Sequence, residues 1–122
     1  MKIIDCFMYF DEDMMLDLRL NILDKYVSNF IICEATFNHK GLKKKLNFDI
    51  NKFSKFKNKI IYLVLDKEPS NIRKISPEDN QSVANAKILD NSINRDIGQR
   101  NHLIEGIKKF NDEDLILLND ID

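Results

Sequence analysis

Asp120 and Asp122 stand two residues apart, directly after the apolar run Leu115-Ile116-Leu117-Leu118. In an extended segment, side chains two apart face the same way. Two carboxylates on one side can hold a hard divalent cation such as Mn²⁺ or Mg²⁺, which typically binds one or two carboxylates together with substrate phosphates. A cation so held neutralises a diphosphate leaving group. In a chain with 14 Asp the spacing alone says little, and its place after an apolar strand is what gives it weight.

Other residues could contribute. Arg100, in the segment Gln99-Arg100-Asn101-His102, could meet a phosphate with its planar fork or be a solvated helix charge. His102 could carry a proton, although a surface or satisfied histidine is the preferred reading, and His39, before Gly41, is weaker still. Glu34 and Asp66 follow apolar runs. In open α/β sheets ligands bind beyond the carboxyl ends of strands, but acids there also simply populate loops and cap helices. Residues Lys40 to Lys59 hold eight lysines and one acid, Asp49, which suits an anionic surface or, preferably, a solvated face. With only Gly41, Gly98 and Gly106, the chain has no Gly-rich phosphate loop, and it shows neither a Cys/His zinc pattern nor a serine elbow.

The elements that must position these residues alternate. Lys2 to Met8 reads as a strand. Asp11-Glu12-Asp13 opens a helix, where the macrodipole favours carboxylates, and Leu16, Leu20, Leu23 and Val27 form its core stripe. Phe30 to Cys33 is a second strand, ending at Glu34, and Thr36 to Leu46 is a loop. Asn47 or Asp49 can cap a short helix with Ile50, Phe53 and Phe56 on one face. Lys59 to Leu65 is the most strand-like segment, and its unbroken apolar character predicts cover on both faces. Glu68 to Asn80, with Pro69 and Pro77, is irregular. Gln81 to Phe110 is helical on Val83, Ile88, Ile97, Leu103, Ile104 and Ile107, with a break near Asn91 to Asn94; after a turn, Leu115 to Leu118 is the fourth strand. Strand-helix alternation predicts an α/β fold with a parallel sheet covered by helices on both faces.

Composition bounds the rest. At 122 residues the chain amounts to one domain. A net charge of -1 from 19 basic and 20 acidic residues argues against disorder and against a nucleic-acid binder. The excess of Ile, Lys and Asn reads as a bias toward AT-rich codons rather than as a functional choice. Cys6 and Cys33 lie in apolar runs and read as buried thiols of a reducing compartment. No signal peptide is visible, and the longest apolar run, Ile60 to Leu65, is far too short to span a bilayer. The expectation is a soluble, cytoplasmic protein without a membrane segment. Because Asp122 directly follows a strand, the 122 residues read as a piece of a larger domain.

Several segments, taken in order, resemble glycosyltransferase family 17, which includes the β-1,4-mannosyl-glycoprotein β-1,4-N-acetylglucosaminyltransferases of N-glycan processing. Ile4-Asp5-Cys6-Phe7-Met8-Tyr9-Phe10-Asp11-Glu12 resembles its opening strand and turn, and Leu18-Arg19-Leu20 with Leu23 its first helix. Glu34-Ala35-Thr36-Phe37 followed by His39-Lys40-Gly41, then Gln99-Arg100-Asn101, and finally Leu118-Asn119-Asp120-Ile121-Asp122 resemble later motifs, with Asn119 where the family has Ser or a similar small residue. The resemblance implies a GT-A-like (Rossmann-like), mostly parallel sheet flanked by helices and cut after the fourth strand, so that residues 1–122 would be the nucleotide-sugar-binding N-terminal part of a glycosyltransferase domain. It implies a nucleotide-sugar donor, most simply UDP-GlcNAc, a glycan acceptor, and Mn²⁺ or Mg²⁺ on Asp120 and Asp122. Glu34 and Asp66 would serve the nucleoside pocket, and Arg100 a diphosphate or a salt bridge near the metal. Transfer would invert the anomeric centre, using a carboxylate base beyond residue 122. One competing expectation is a non-catalytic, receiver-like module with Asp66 as phosphoacceptor; another is an interaction protein using the basic patch.

Overall fold

The computed structural model describes every residue, Met1–Asp122. Its elements run β1 (Ile3–Met8), α1 (Asp13–Leu23), β2 (Asn29–Ala35), a 3₁₀ helix (Ile50–Phe56), β3 (Ile60–Leu65), α2 (Gln81–His102), α3 (Ile104–Ile107) and β4 (Leu115–Leu118). The four strands form one all-parallel sheet in the order β3-β2-β1-β4. The chain moves outward from β1 to β2 to β3 and then returns across the sheet to place β4 on the other side of β1. The strand order therefore reverses between β1 and β4, the topological switch point where α/β sheets open a crevice beyond their carboxyl ends. This is the α/β architecture that the alternation predicts. A receiver-type sheet has β1 between β2 and β3. Here β3 lies outside β2, so the receiver-like expectation is overturned: Asp66 sits two strands away from the acids that follow β1.

Strand alternation splits the core into two layers. Phe7, Tyr9, Phe30 and Ile32 face α1 and the 3₁₀ helix, packing on Leu16, Leu20, Phe53 and Phe56. Ile4, Cys6, Ile31 and Cys33 face the other way, onto Leu103 and the half-buried Ile107 and Phe110. Helices thus cover both faces. Asp49 caps the 3₁₀ helix, accepting from the Asn51 amide, and Asn80 caps α2, accepting from the Val83 amide. Gly106 marks the closest approach of the second layer, since a Cβ there would lie 2.9 Å from Ile31 Cγ2.

Three expectations are corrected. β3 is not covered on both faces. It is an edge strand with no fully buried residue, because the fold spends its central positions on β1 and β2. The long helix does not break near Asn91–Asn94; α2 runs unbroken to His102 and the chain bends at Leu103. The apolar positions Val83, Ile88, Ile97 and Ile104 are not its core face but are exposed. The buried stripe is polar: Asn91, Arg95 and Gln99, spaced four apart. No helix is long and apolar enough to cross a membrane.

Cys6 and Cys33 are free and fully buried on adjacent strands. Burial first, and then the neighbouring carboxylates Asp5 and Glu34, push both thiols up to about 12. Since the thiolate is the reactive form, neither cysteine should react with a disulfide reagent at pH 8 in the native protein. Both should react in denaturant, and thiol counting by absorbance checks this; a rapidly reacting native thiol would contradict the packing.

Candidate functional site

A cavity of about 790 Å³ opens at the switch point. The end of β1 contributes Met8, Tyr9 and Phe10, and the turn into α1 adds Glu12 and Met15. The opposite wall is the loop Asn38–Leu42, Gln99 reaches in from α2, and Asp120, Ile121 and Asp122 complete the rim. One side is therefore acidic, with Glu12, Asp120 and Asp122, while the other presents His39 and Lys40.

The acidic segment is held from beneath. Asp5, in the middle of β1, is fully buried. Arg19 of α1 grips it with two parallel bonds, Nε to Oδ2 at 2.7 Å and Nη2 to Oδ1 at 2.8 Å. The remaining guanidinium nitrogen, Nη1, donates to the backbone carbonyls of Asp120 at 3.2 Å and Ile121 at 3.3 Å. Asn119 adds a bond from its side-chain amide to Asp5 Oδ1 at 3.0 Å, and its backbone amide continues the ladder to the Cys6 carbonyl. Ile121 is buried in the α1-side core, so the alternating neighbours Asp120 and Asp122 are left exposed at the cavity rim. Arg100 reaches Asp120 Oδ1 from α2 at 3.0 Å. Of the candidate residues the structure thus places Asp120 and Asp122 on the cavity rim, while Arg100 bonds Asp120 without lining the cavity itself.

Glu34 and Asp66 do not border the cavity. Glu34 is fully buried on the α1-side face of β2. Its carboxylate accepts from Lys44 Nζ at 2.6 Å, the Asn47 amide at 2.6 Å, the Phe48 amide at 3.0 Å and the Tyr62 hydroxyl at 2.7 Å. With its lone pairs so occupied, Glu34 is a strut for the loop that follows β2. Asp66 is exposed and accepts from Thr36 Oγ1 at 2.8 Å, joining the ends of β2 and β3. His102 ends α2 away from the cavity, as the plainer reading had it, whereas His39 lies on the cavity wall, 3.7 Å from Asp96. Within the basic segment Lys44, Lys52 and Lys59 are paired with Glu34, Asp13 and Asp24, which removes part of its free charge.

The polar stripe of α2 fixes the surrounding loops. The Asn91 side chain both accepts from and donates to the backbone of Arg73, at 2.7 Å and 2.8 Å. Arg95 bonds Glu68 at 2.5 Å and the His39 carbonyl at 3.0 Å. Its guanidinium lies against Gly41, where a Cβ would meet Arg95 Nη2 at 2.5 Å and where φ is +85°. The positive φ is what requires glycine here, and a side chain would in addition have to displace the Arg95 guanidinium. Gln99 donates to the Cys33 carbonyl at 3.0 Å, sharing that oxygen with the Tyr9 amide. Burial, and then the Asp13 carboxylate to which its hydroxyl donates, push the Tyr9 phenol above its ordinary range, so it remains a neutral donor.

Sequence reasoning missed Asp5, Arg19, Arg95 and Gln99 as site supports. Signals existed: an acid inside the strand Ile3–Met8, and a polar residue every fourth position along a helix.

The acidic rim offers hard oxygen donors from Asp120 and Asp122 only, since no group of three or more His, Cys, Asp or Glu side chains that could hold a metal ion is present, at the rim or elsewhere. Two carboxylates suit a Mg²⁺- or Mn²⁺-like ion whose remaining ligands are water and phosphate oxygens. The sequence model of glycosyltransferase family 17 matches residues 1–122, the whole chain. No curated protein and no solved structure matches it.

Two variants test how the cavity wall is held. Glu34→Ala leaves Lys44 nearly buried without its partner, and breaking a buried pair from one side costs about 3–5 kcal/mol. Gly41→Ala should cost roughly 1–2 kcal/mol from the left-handed backbone alone. Urea denaturation of each variant measures both, and a loss below about 1 kcal/mol for Glu34→Ala would deny the strut its role.

Proposed function

The chain belongs to glycosyltransferase family 17, and from that premise we propose that it binds a nucleotide-sugar donor, most simply UDP-GlcNAc, in the switch-point cavity for metal-dependent, inverting transfer to a glycan acceptor. The observation that carries the reading is the acidic pair Asp120 and Asp122 on the rim of a cavity at the carboxyl ends of β1 and β4. Asp120 and Asp122 would hold Mn²⁺ or Mg²⁺. When bound, the cation supplies electrostatic neutralisation of the diphosphate leaving group.

The chain's own residues do the rest. Arg100 holds one oxygen of Asp120, Oδ1. Its planar fork is also suited to a diphosphate oxygen. His39 and Lys40 face the acidic rim across the cavity, so an anionic donor lies between a basic wall and the metal site. Phe10 and Leu42 supply apolar surface for a base or sugar ring. Glu34 acts in donor binding by bracing the loop that carries His39 and Lys40, and Asp66 by tying that loop's first residues to β3. The acceptor hydroxyl needs a general base, for which no residue of this chain is assigned.

Isothermal titration of UDP and UDP-GlcNAc, with and without Mn²⁺, is the test. Binding should strengthen with Mn²⁺, and Asp120→Ala or Asp122→Ala should remove that gain, a loss on the order of tenfold or more. Metal-independent binding that survives both substitutions unchanged would overturn the metal assignment. Absence of any nucleotide binding would overturn the donor assignment.

A further inference from the structure

We infer that Arg19 is the positioning residue of the acidic pair, and that Asp5 and Asn119 form with it a neutral clamp that sets the geometry of the metal-binding rim. The inference rests on the donor-and-metal reading above. Neither Arg19 nor Asp5 lines the switch-point cavity; Arg19 acts through the backbone carbonyls of residues that do, and Asp5 acts through Arg19 and Asn119.

The geometry is specific. Beyond β4 the chain from Asn119 to Asp122 has no ladder partner of its own after the Asn119 amide bonds the Cys6 carbonyl. A segment in that position would ordinarily be free to turn. Here Arg19 Nη1 holds two successive carbonyls, those of Asp120 and Ile121. Fixing consecutive carbonyls fixes the peptide plane between them, and with it the directions of the side chains on either side. Ile121 is then committed to the core, and Asp120 and Asp122 to the cavity.

Only arginine can do this here. Three nitrogens of one planar group make four contacts, two to Asp5 and two to the rim. A lysine ammonium keeps the charge, but its donors radiate from a single atom and cannot match the fork. The guanidinium is itself held in place, since its carbon lies 5.2 Å from the centre of the Phe7 ring. The buried Asp5 carboxylate supplies the counter-charge, so the clamp adds no net positive charge beneath a site meant for a cation.

The experiment uses the full chain and titrates UDP with and without Mn²⁺ against the wild type, Arg19→Lys, Asn119→Ala and, as a control, Arg73→Lys, whose exposed pair with Asp90 is remote from the cavity. Far-ultraviolet circular dichroism monitors folding. Arg19→Lys should lose about tenfold or more of the Mn²⁺-dependent gain in UDP affinity, the size of effect seen when groups that orient metal ligands are removed. Its metal-free UDP binding should stay unchanged, and Arg73→Lys should behave as wild type. A folded Arg19→Lys protein with the full Mn²⁺ gain overturns the inference. So does one in which metal-free and metal-dependent binding fall together, because that marks a merely structural residue. If Arg19→Lys does not fold, Asn119→Ala decides: a selective loss of the Mn²⁺ gain supports the clamp, and an intact gain overturns it. A wild type without any Mn²⁺ gain removes the metal reading itself, and this inference falls with it.

Discussion

Two carboxylates, Asp5 and Glu34, lie fully buried on adjacent central strands and on the same face of the sheet. A buried charge is tolerated only when it is paired and its lone pairs are filled. Each therefore draws a cation from outside the sheet, Asp5 from α1 through Arg19 and Glu34 from the following loop through Lys44. The requirement fixes the molecule twice over. Meeting it at Asp5 anchors α1 and the end of β4 to β1. Meeting it at Glu34 pulls Asn47, Phe48 and Tyr62 inward and brings Phe48 against the Tyr62 ring, 4.6 Å between centroids. Replacing either pair with apolar residues could leave stability unharmed, but it would release the two segments that wall the cavity. The ion pairs are better understood as devices of placement than of stability.

The layered plan was legible because apolar runs and turn formers alternate, and that pattern is local. Strand positions, the α1 core residues Leu16 and Leu20, and the Asp49 cap all follow from neighbours in the chain. What was not legible depends on strand order. β3 reads as the most buried strand because Ile60–Leu65 is the purest apolar run, yet its place at the edge is set by the crossovers and leaves it half-exposed. The face of α2 was misread for a related reason. Hydrophobic periodicity finds a stripe but assumes that apolar residues point inward. On α2 the inward stripe must satisfy loop carbonyls and an edge of the cavity, which apolar side chains cannot do, so Asn91, Arg95 and Gln99 take it.

The acidic pair was legible as a motif, while its supports were not. Asp5 and Arg19 are 14 residues apart and meet Asp120 across more than 100 residues of chain. Composition hid one usable clue. In a chain with so strong a bias toward lysine, three of the four arginines stand where a fork is needed. Arg19 serves Asp5 and two carbonyls, Arg95 serves Glu68 and the His39 carbonyl, and Arg100 serves Asp120. Where lysine is so common its presence is uninformative, and each arginine is by contrast worth a geometric question.

α2 is what turns separate walls into one site. Arg95 reaches the loop that bears His39, Gln99 reaches the β2 carbonyl next to the cavity floor, and Arg100 reaches the acidic rim. Residues four and five apart along one helix thus touch all three walls, and a helix is stiff over so short a span. The Cys33 carbonyl accepts from both Gln99 and the Tyr9 amide, so the floor of the cavity and the helix share a single fixed point. Relative motion of the basic loop and the acidic rim is therefore opposed by one rigid body rather than by packing between them. On the proposed reading, in which the site holds a cation and an anion in fixed register, that arrangement is an advantage, because the electrostatic return depends on preorganised charges that do not rearrange when the ligand arrives.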